Sequence, residues 1–257
     1  MKAAATLLLL IAAPALAEPG LPPEAAVAAA LDNHPSVAAA RARIGEARAD
    51  ARMLSVGPQE VVVQGTIQRR DVRGVGVVPE YDLQFTRPIR LPGKAALDRQ
   101  AGDAGIRAAD NRADDARHQA ALMLSRQWWA WAGAAAETRT LDDAAGIMAQ
   151  AVAATRQRLA VRDASQLELD QALAAEAAAR AAALQAKARA AAARAVLAAS
   201  FPDLPLPVAA PPLPEPVLPP EGTAALAGLV IERSHEIGAS AAEFDRAEAL
   251  KARAARE

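Results

Sequence analysis

The side chains that most often do chemistry are few and scattered in this sequence. Its 3 histidines are His34, His118 and His235. None has a second histidine at metal-ligand spacing, so structural or exposed roles are expected for all of them. Asp110, Asp114 and Asp115 form an acidic group, but Arg107, Arg112 and Arg117 interleave with them. On a helix that spacing predicts a solvated face with charge pairs three and four residues apart. Trp128, Trp129 and Trp131 offer either a stacking platform or a packing girdle. The girdle is favoured, because large side chains are otherwise rare nearby. Gly74-Val75-Gly76 lacks the third glycine and the following helix of a phosphate loop. No G-x-S-x-G, H-E-x-x-H or Walker pattern occurs. No catalytic, cofactor or metal site is therefore expected, and the predicted role is mechanical, not enzymatic.

Composition narrows that role. The net charge is −1 over 257 residues, so no nucleic-acid partner is expected. With 0 cysteines there is no disulfide, no thiolate site and no lipid-modified cysteine. Alanine dominates and aromatics make up only 3%. Such a chain forms helices readily but cannot fill a thick core, which favours thin layers or coiled coils. Met1-Lys2, the apolar run from Ala3 to Ala13 and the small-x-small Ala15-Leu16-Ala17 predict a secretory signal peptide over 1–17. Beyond it no stretch reaches the ~20 apolar residues of a membrane helix, so any membrane entry must use strands of a closed barrel.

Residues 24–54 read as helix interrupted at Pro35, with Gly57-Pro58 as the stop. Two strands, 59–69 and 79–90, follow. Odd positions there carry Val61, Val63, Ile67, Tyr81, Leu83 and Phe85, and even ones carry Gln64, Gln68, Asp82, Gln84 and Thr86. Period-two alternation gives each strand one apolar and one polar face. Each strand is about ten residues long, the length a tilted barrel strand needs. A soluble hairpin with one buried face is the alternative, although a lone hairpin is marginal in water. Residues 69–78 read as the exposed loop between the strands.

No proline occurs from Gly93 to Ser200. A helix over 94–160 is expected, about 100 Å long at 1.5 Å per residue. Positions 141, 145, 148, 152, 155 and 159 form a heptad seam that stops at Leu159. Ser165-Gln166-Leu167-Glu168 is a capping box, so a tip is placed at 161–165 and a return helix at 165–200. Residues 202–220 hold 9 prolines and form an extended connector. A last helical segment is expected from about Thr223. Pro22-Pro23-Glu24 recurs as Pro219-Pro220-Glu221, and Leu31, Val37, Ile44 and Ala47 match Ile231, Ile237, Phe244 and Ala247, each 200 positions on. A first repeat over 18–201 and an incomplete second repeat over 221–257 are predicted.

The order of signal, helix, strand pair, long helix, tip, return helix, proline connector and second start resembles the TolC-like outer-membrane efflux family. Local phrases agree. Leu31-Asp32-Asn33-His34-Pro35-Ser36-Val37 resembles the family's opening helix start. Gln84-Phe85-Thr86-Arg87-Pro88-Ile89 with Gly93-Lys94 resembles its second strand, and Arg158-Leu159-Ala160-Val161 through Ser165 its tip phrase, with Arg162-Asp163 in place of the tip glycine. The style is closest to the heavy-metal efflux branch. The resemblance implies a mainly α fold, with long antiparallel coiled-coil helices and a membrane β-hairpin. It covers about half of the family's architecture, so a truncated reading frame or fragment is expected. Three chains with two strands each would supply six, fewer than the eight of the smallest bacterial barrels.

The implied function is a passive outer-membrane conduit of a tripartite efflux system. Its partners would be a periplasmic adaptor, an inner-membrane pump and outer-membrane lipid, with a homotrimer in the full-length family. The helices would extend into the periplasm. Val61, Val63, Ile67, Tyr81, Leu83 and Phe85 would face lipid. Gln64, Gln68, Asp82, Gln84 and Thr86 would face the lumen. Arg158, Leu159, Val161, Arg162, Asp163 and Ser165 would meet the adaptor. The competing readings are a periplasmic adaptor with a coiled-coil hairpin, a soluble structural coiled coil, or a non-functional fragment.

Overall fold

The computed structural model describes residues 20–57, 60–90, 92–216 and 222–256. The signal peptide over 1–17 and Pro219-Pro220-Glu221 lie outside them. Eight elements follow in order: α1 Glu24–Asp32, α2 Pro35–Val56, β1 Val62–Val72, β2 Gly76–Thr86, α3 Lys94–Ala160, α4 Gln166–Ser200, α5 Gly222–Glu232 and α6 His235–Ala254. The fold is mainly α, with one two-stranded antiparallel sheet. Among the described residues no helix is long and apolar enough to cross a membrane.

The chain divides into two compact units: Met1–His34 with Ala120–Leu218, and Pro35–Gln119 with Pro219–Glu257. In the first, the segment before α1 and the C-terminal part of α4 meet large side chains of α3. Trp128 and Trp131 are buried and pack edge to face, with ring centroids 5.6 Å apart. The Trp128 indole N–H donates to the Gly20 carbonyl at 2.9 Å, which meets the need of a buried indole for an acceptor. The Arg194 guanidinium lies over the Trp131 ring, 5.7 Å from its centroid. Phe201 and Leu204, at the start of the connector, are buried, and Phe201 packs on His34. The tryptophans thus act as the girdle, filling space that alanine leaves open.

In the second unit the helices approach closely because their contact residues are small. A Cβ on Gly102 of α3 would come within 2.9 Å of the Ala51 Cβ on α2. Arginines 107 and 112 do not form the expected pairs within α3. Each reaches α6 instead: Arg107 meets Asp245 and Arg112 meets Glu243, both at 2.9 Å. The reason is that α6 sets its own carboxylates opposite this face of α3.

The helix breaks at 33–34 and 233–234 fall 200 residues apart but are made differently. Pro35 opens α2 at a position where a proline has no helical hydrogen bond to lose. Ser234 caps α6 by accepting the Ile237 N–H through its hydroxyl.

The strand boundaries need correcting. The expected strands 59–69 and 79–90 are β1 Val62–Val72 and β2 Gly76–Thr86, and the expected loop over 69–78 shrinks to Arg73, Gly74 and Val75. Gly74 and Gly76 adopt φ of 89° and 95°, a conformation open to glycine, which closes a tight turn. Arg69, Arg70 and Asp71 are polar, but they stay in the ladder, paired with Pro79, Val78 and Val77. Pro79 is tolerated because each strand of a two-stranded sheet has an open edge toward which a missing N–H can point.

Candidate functional site

In the hairpin, the antiparallel register fixes which side chains share a face. Val63 pairs with Phe85, Gly65 with Leu83 and Ile67 with Tyr81. Directly opposed residues point the same way, so these five side chains form one apolar surface. Val61 lies one residue before β1, outside the ladder. The surface is bare: Ile67 is 77% and Tyr81 75% exposed. Contiguous apolar surface of this kind marks a site that meets another apolar phase.

The opposite face pairs Gln64 with Gln84, Thr66 with Asp82 and Gln68 with Glu80, and ends in Val62 beside Thr86. It carries its own network. The Gln68 amide donates to Glu80 at 2.8 Å, and Arg70 bridges to the same carboxylate at 3.1 Å. Glu80 is thereby the one half-buried residue of the two strands.

The base of the hairpin is tied to the helices by Arg90. Its guanidinium donates to the Ser55 and Leu54 carbonyls at 2.9 Å each, satisfying the exposed C-terminal end of α2. It also lies beside Asp98, which is buried and bonded to Arg253 of α6. Gly57 is required here: its φ is +66°, and a side chain would collide with the Arg90 guanidinium. Sequence reasoning missed this clamp. Asp98 and Arg253 are 155 residues apart, and no local spacing connects them.

The helical turn after α3 is built from the remaining site residues. Arg158 and Leu159 lie in the last turn of α3. The Asp163 N–H donates to the Arg158 carbonyl at 2.8 Å and the Arg162 N–H to the Leu159 carbonyl at 3.0 Å. This is a Schellman closure, and its left-handed position falls on Arg162, with φ of 60°. An arginine holds the conformation that glycine usually supplies. The Arg158 side chain compensates by donating to the Asp163 carboxylate at 3.1 Å and the Asp163 carbonyl at 2.7 Å.

Ser165 precedes α4 as its cap, not as its first residue, and both halves of its capping box with Glu168 are made. The Ser165 backbone N–H, donating at 2.6 Å, holds the Glu168 carboxyl below its usual value, with help from the Ser165 hydroxyl. Val161 and Leu167 stand exposed on either side of the turn. The hairpin presents one apolar and one polar face, and the turn is a capped, exposed end.

No protein-family model matches the sequence, and no curated protein matches it. Solved structures do match the fold. A membrane protein from Pseudomonas aeruginosa superposes with a TM-score of 0.72 at 21% identity, covering 88% of this chain and 55% of that one. The outer membrane protein VceC of Vibrio cholerae gives 0.69 at 18%, over 88% and 56%. The outer-membrane channel OprN gives 0.69 at 19%, over 88% and 53%. The chain thus spans about half the length of the structures it matches. Over that half, it has the fold of the TolC-like outer-membrane channels.

Proposed function

We propose that this chain is a component of an outer-membrane efflux channel, a passive conduit to which an inner-membrane pump supplies the energy. The single observation that carries the reading is the hairpin. Its two strands of 11 residues expose an apolar face on one side and a hydrogen-bonded polar face on the other. A barrel wall needs this arrangement, with lipid outside and water inside. A two-stranded sheet leaves both outer edges unpaired, so the wall must be completed by other strands. In this reading Val61, Val63, Ile67, Tyr81, Leu83 and Phe85 face lipid, and Gln64, Gln68, Asp82, Gln84 and Thr86 face the lumen.

Export by the signal peptide places the helices in the periplasm. The turn from Arg158 to Ser165 then meets a periplasmic adaptor, and the trimer belongs to the full-length family, whose protomers bring more strands. The fold of the matched channels supports the same reading, since VceC and OprN are outer-membrane proteins. Outer-membrane fractionation of Leu83→Arg and Gln84→Arg variants tests it. Leu83→Arg is expected to lose membrane assembly and Gln84→Arg to keep it. Equal tolerance of both in a full-length version would refute the assignment of faces.

A further inference from the structure

We infer that Arg69 and Arg87 anchor the hairpin to anionic phospholipid headgroups, one at each edge of its apolar band. This rests on the membrane reading above. The register sets Arg69 opposite Pro79 on the apolar face, one step beyond Ile67 and Tyr81. Arg87 follows β2 directly and takes the next odd position after Phe85. Arg87 and Val61 both lie just outside the ladder, and extending its count by one step would set Arg87 against Val61. Between these limits the odd positions are Val61, Val63, Gly65 and Ile67 on one strand and Pro79, Tyr81, Leu83 and Phe85 on the other. The band carries no charge inside and ends in one arginine at each edge.

The spacing fits a membrane. From 61 to 69 the strand rises about 27 Å at ~3.4 Å per residue. At a tilt of about 40° that is roughly 21 Å of height, against the ~25 Å apolar band of outer-membrane barrels. Arginine stems extend that reach by lying along apolar surface while the charged head stays at the polar edge.

Of the other arginines near the hairpin, Arg73 lies exposed in the turn beyond the band and two are engaged. Arg70 faces the opposite side and pairs with Glu80, and Arg90 caps α2. Arg69 and Arg87 are exposed and have no ion-pair partner among the described residues. Asp71, on the same face, lies one step nearer the turn than Arg69 and outside the band, with Arg73 beyond it in the turn. A guanidinium held at the boundary of oil gains most from an anion that accepts two parallel hydrogen bonds, which a lipid phosphate does. The alternation that sets Leu83 toward lipid therefore also sets two phosphate ligands at the membrane surfaces.

The test uses the full chain after signal removal, refolded with vesicles of phosphatidylcholine alone or mixed with phosphatidylglycerol. Protease protection of the hairpin reports insertion, and flotation reports affinity. The wild type should prefer the anionic vesicles. Arg69→Gln and Arg87→Gln should each lose about fivefold of that preference, while Arg70→Gln keeps it. High salt should erase the difference. If both glutamine variants insert and retain the full preference, the inference is overturned. If the wild type inserts in neither vesicle, the membrane reading itself fails, and this inference with it.

Discussion

The apolar side chains of the hairpin and those around α1 are chemically alike and end in opposite surroundings. Leu31 is 4% exposed, whereas Leu83 is 63% and Phe85 66% exposed. Residue type does not explain the difference. What stands opposite does: Phe201, Leu204 and the tryptophans fill the space in the α1 unit, and nothing in the described chain covers the hairpin. The helix pair α5–α6 makes the point within one pattern. Ile231, Ile237 and Phe244 occupy positions 200 residues after Leu31, Val37 and Ile44, yet are 66%, 53% and 69% exposed. Leu31 and Val37 are core and Ile44 is half-buried, whereas their counterparts are bare surface. Burial is therefore a property of the partner as much as of the sequence.

That contrast can be broken by substitution, and the largest effect should come from the packed side. Phe201→Ala should cost about 3–5 kcal/mol of helical stability, read by denaturant unfolding, because a fully buried ring leaves a cavity. Leu31→Ala should cost about 2–5 kcal/mol, while Ile231→Ala stays within about 0.5 kcal/mol. Equal losses at 31 and 231 would erase the difference between the two helix pairs. On the bare side, Leu83→Arg should leave helical unfolding in water unchanged. It should destabilise the lipid-inserted form by about 2–4 kcal/mol for each copy.

Smaller effects sharpen the account of the helical turn. Arg162→Gly should stabilise the turn by about 0.5–1 kcal/mol, since glycine adopts the left-handed conformation without strain. Loss of stability there would show that the arginine side chain matters more than its backbone. The Glu168 carboxyl sits below its usual value of 4.5, so its contribution is present above that pH and is lost as pH falls through its lowered value. After correction for the intrinsic pH dependence of exchange, protection of the Ser165 and Glu168 amides should hold above the usual value of 4.5 and fall as the carboxyl protonates in acid. Loss of protection at neutral pH would contradict the capping role.

Much of this architecture was legible in local chemistry. The proline-free span from Gly93 to Ser200 and the Ser165–Glu168 box mark one turn between two long helices, and the structure puts α3 and α4 on either side of it. Alternation at 61–68 and 80–86 identified the two faces of the hairpin. The strand ends were misjudged because Arg69 to Asp71 look like loop by polarity, whereas Gly74 and Gly76 allow the ladder to continue to Val72. The Asp98 clamp and the pairing of Arg107 and Arg112 with α6 could not be read, because each joins residues more than a hundred positions apart. The exposure of Ile231 was equally hidden, since its spacing matches that of a buried leucine.

The absence of cysteine makes the decisive measurement direct. Single cysteines at positions 83 and 84, each carrying a fluorescent label, can be compared in the refolded, vesicle-bound chain with quenchers confined to lipid chains or to water. The account predicts that the label at 83 is quenched from the lipid and the label at 84 from the water, with the preference alternating along both strands. Matching quenching at neighbouring positions, from either phase, would contradict it.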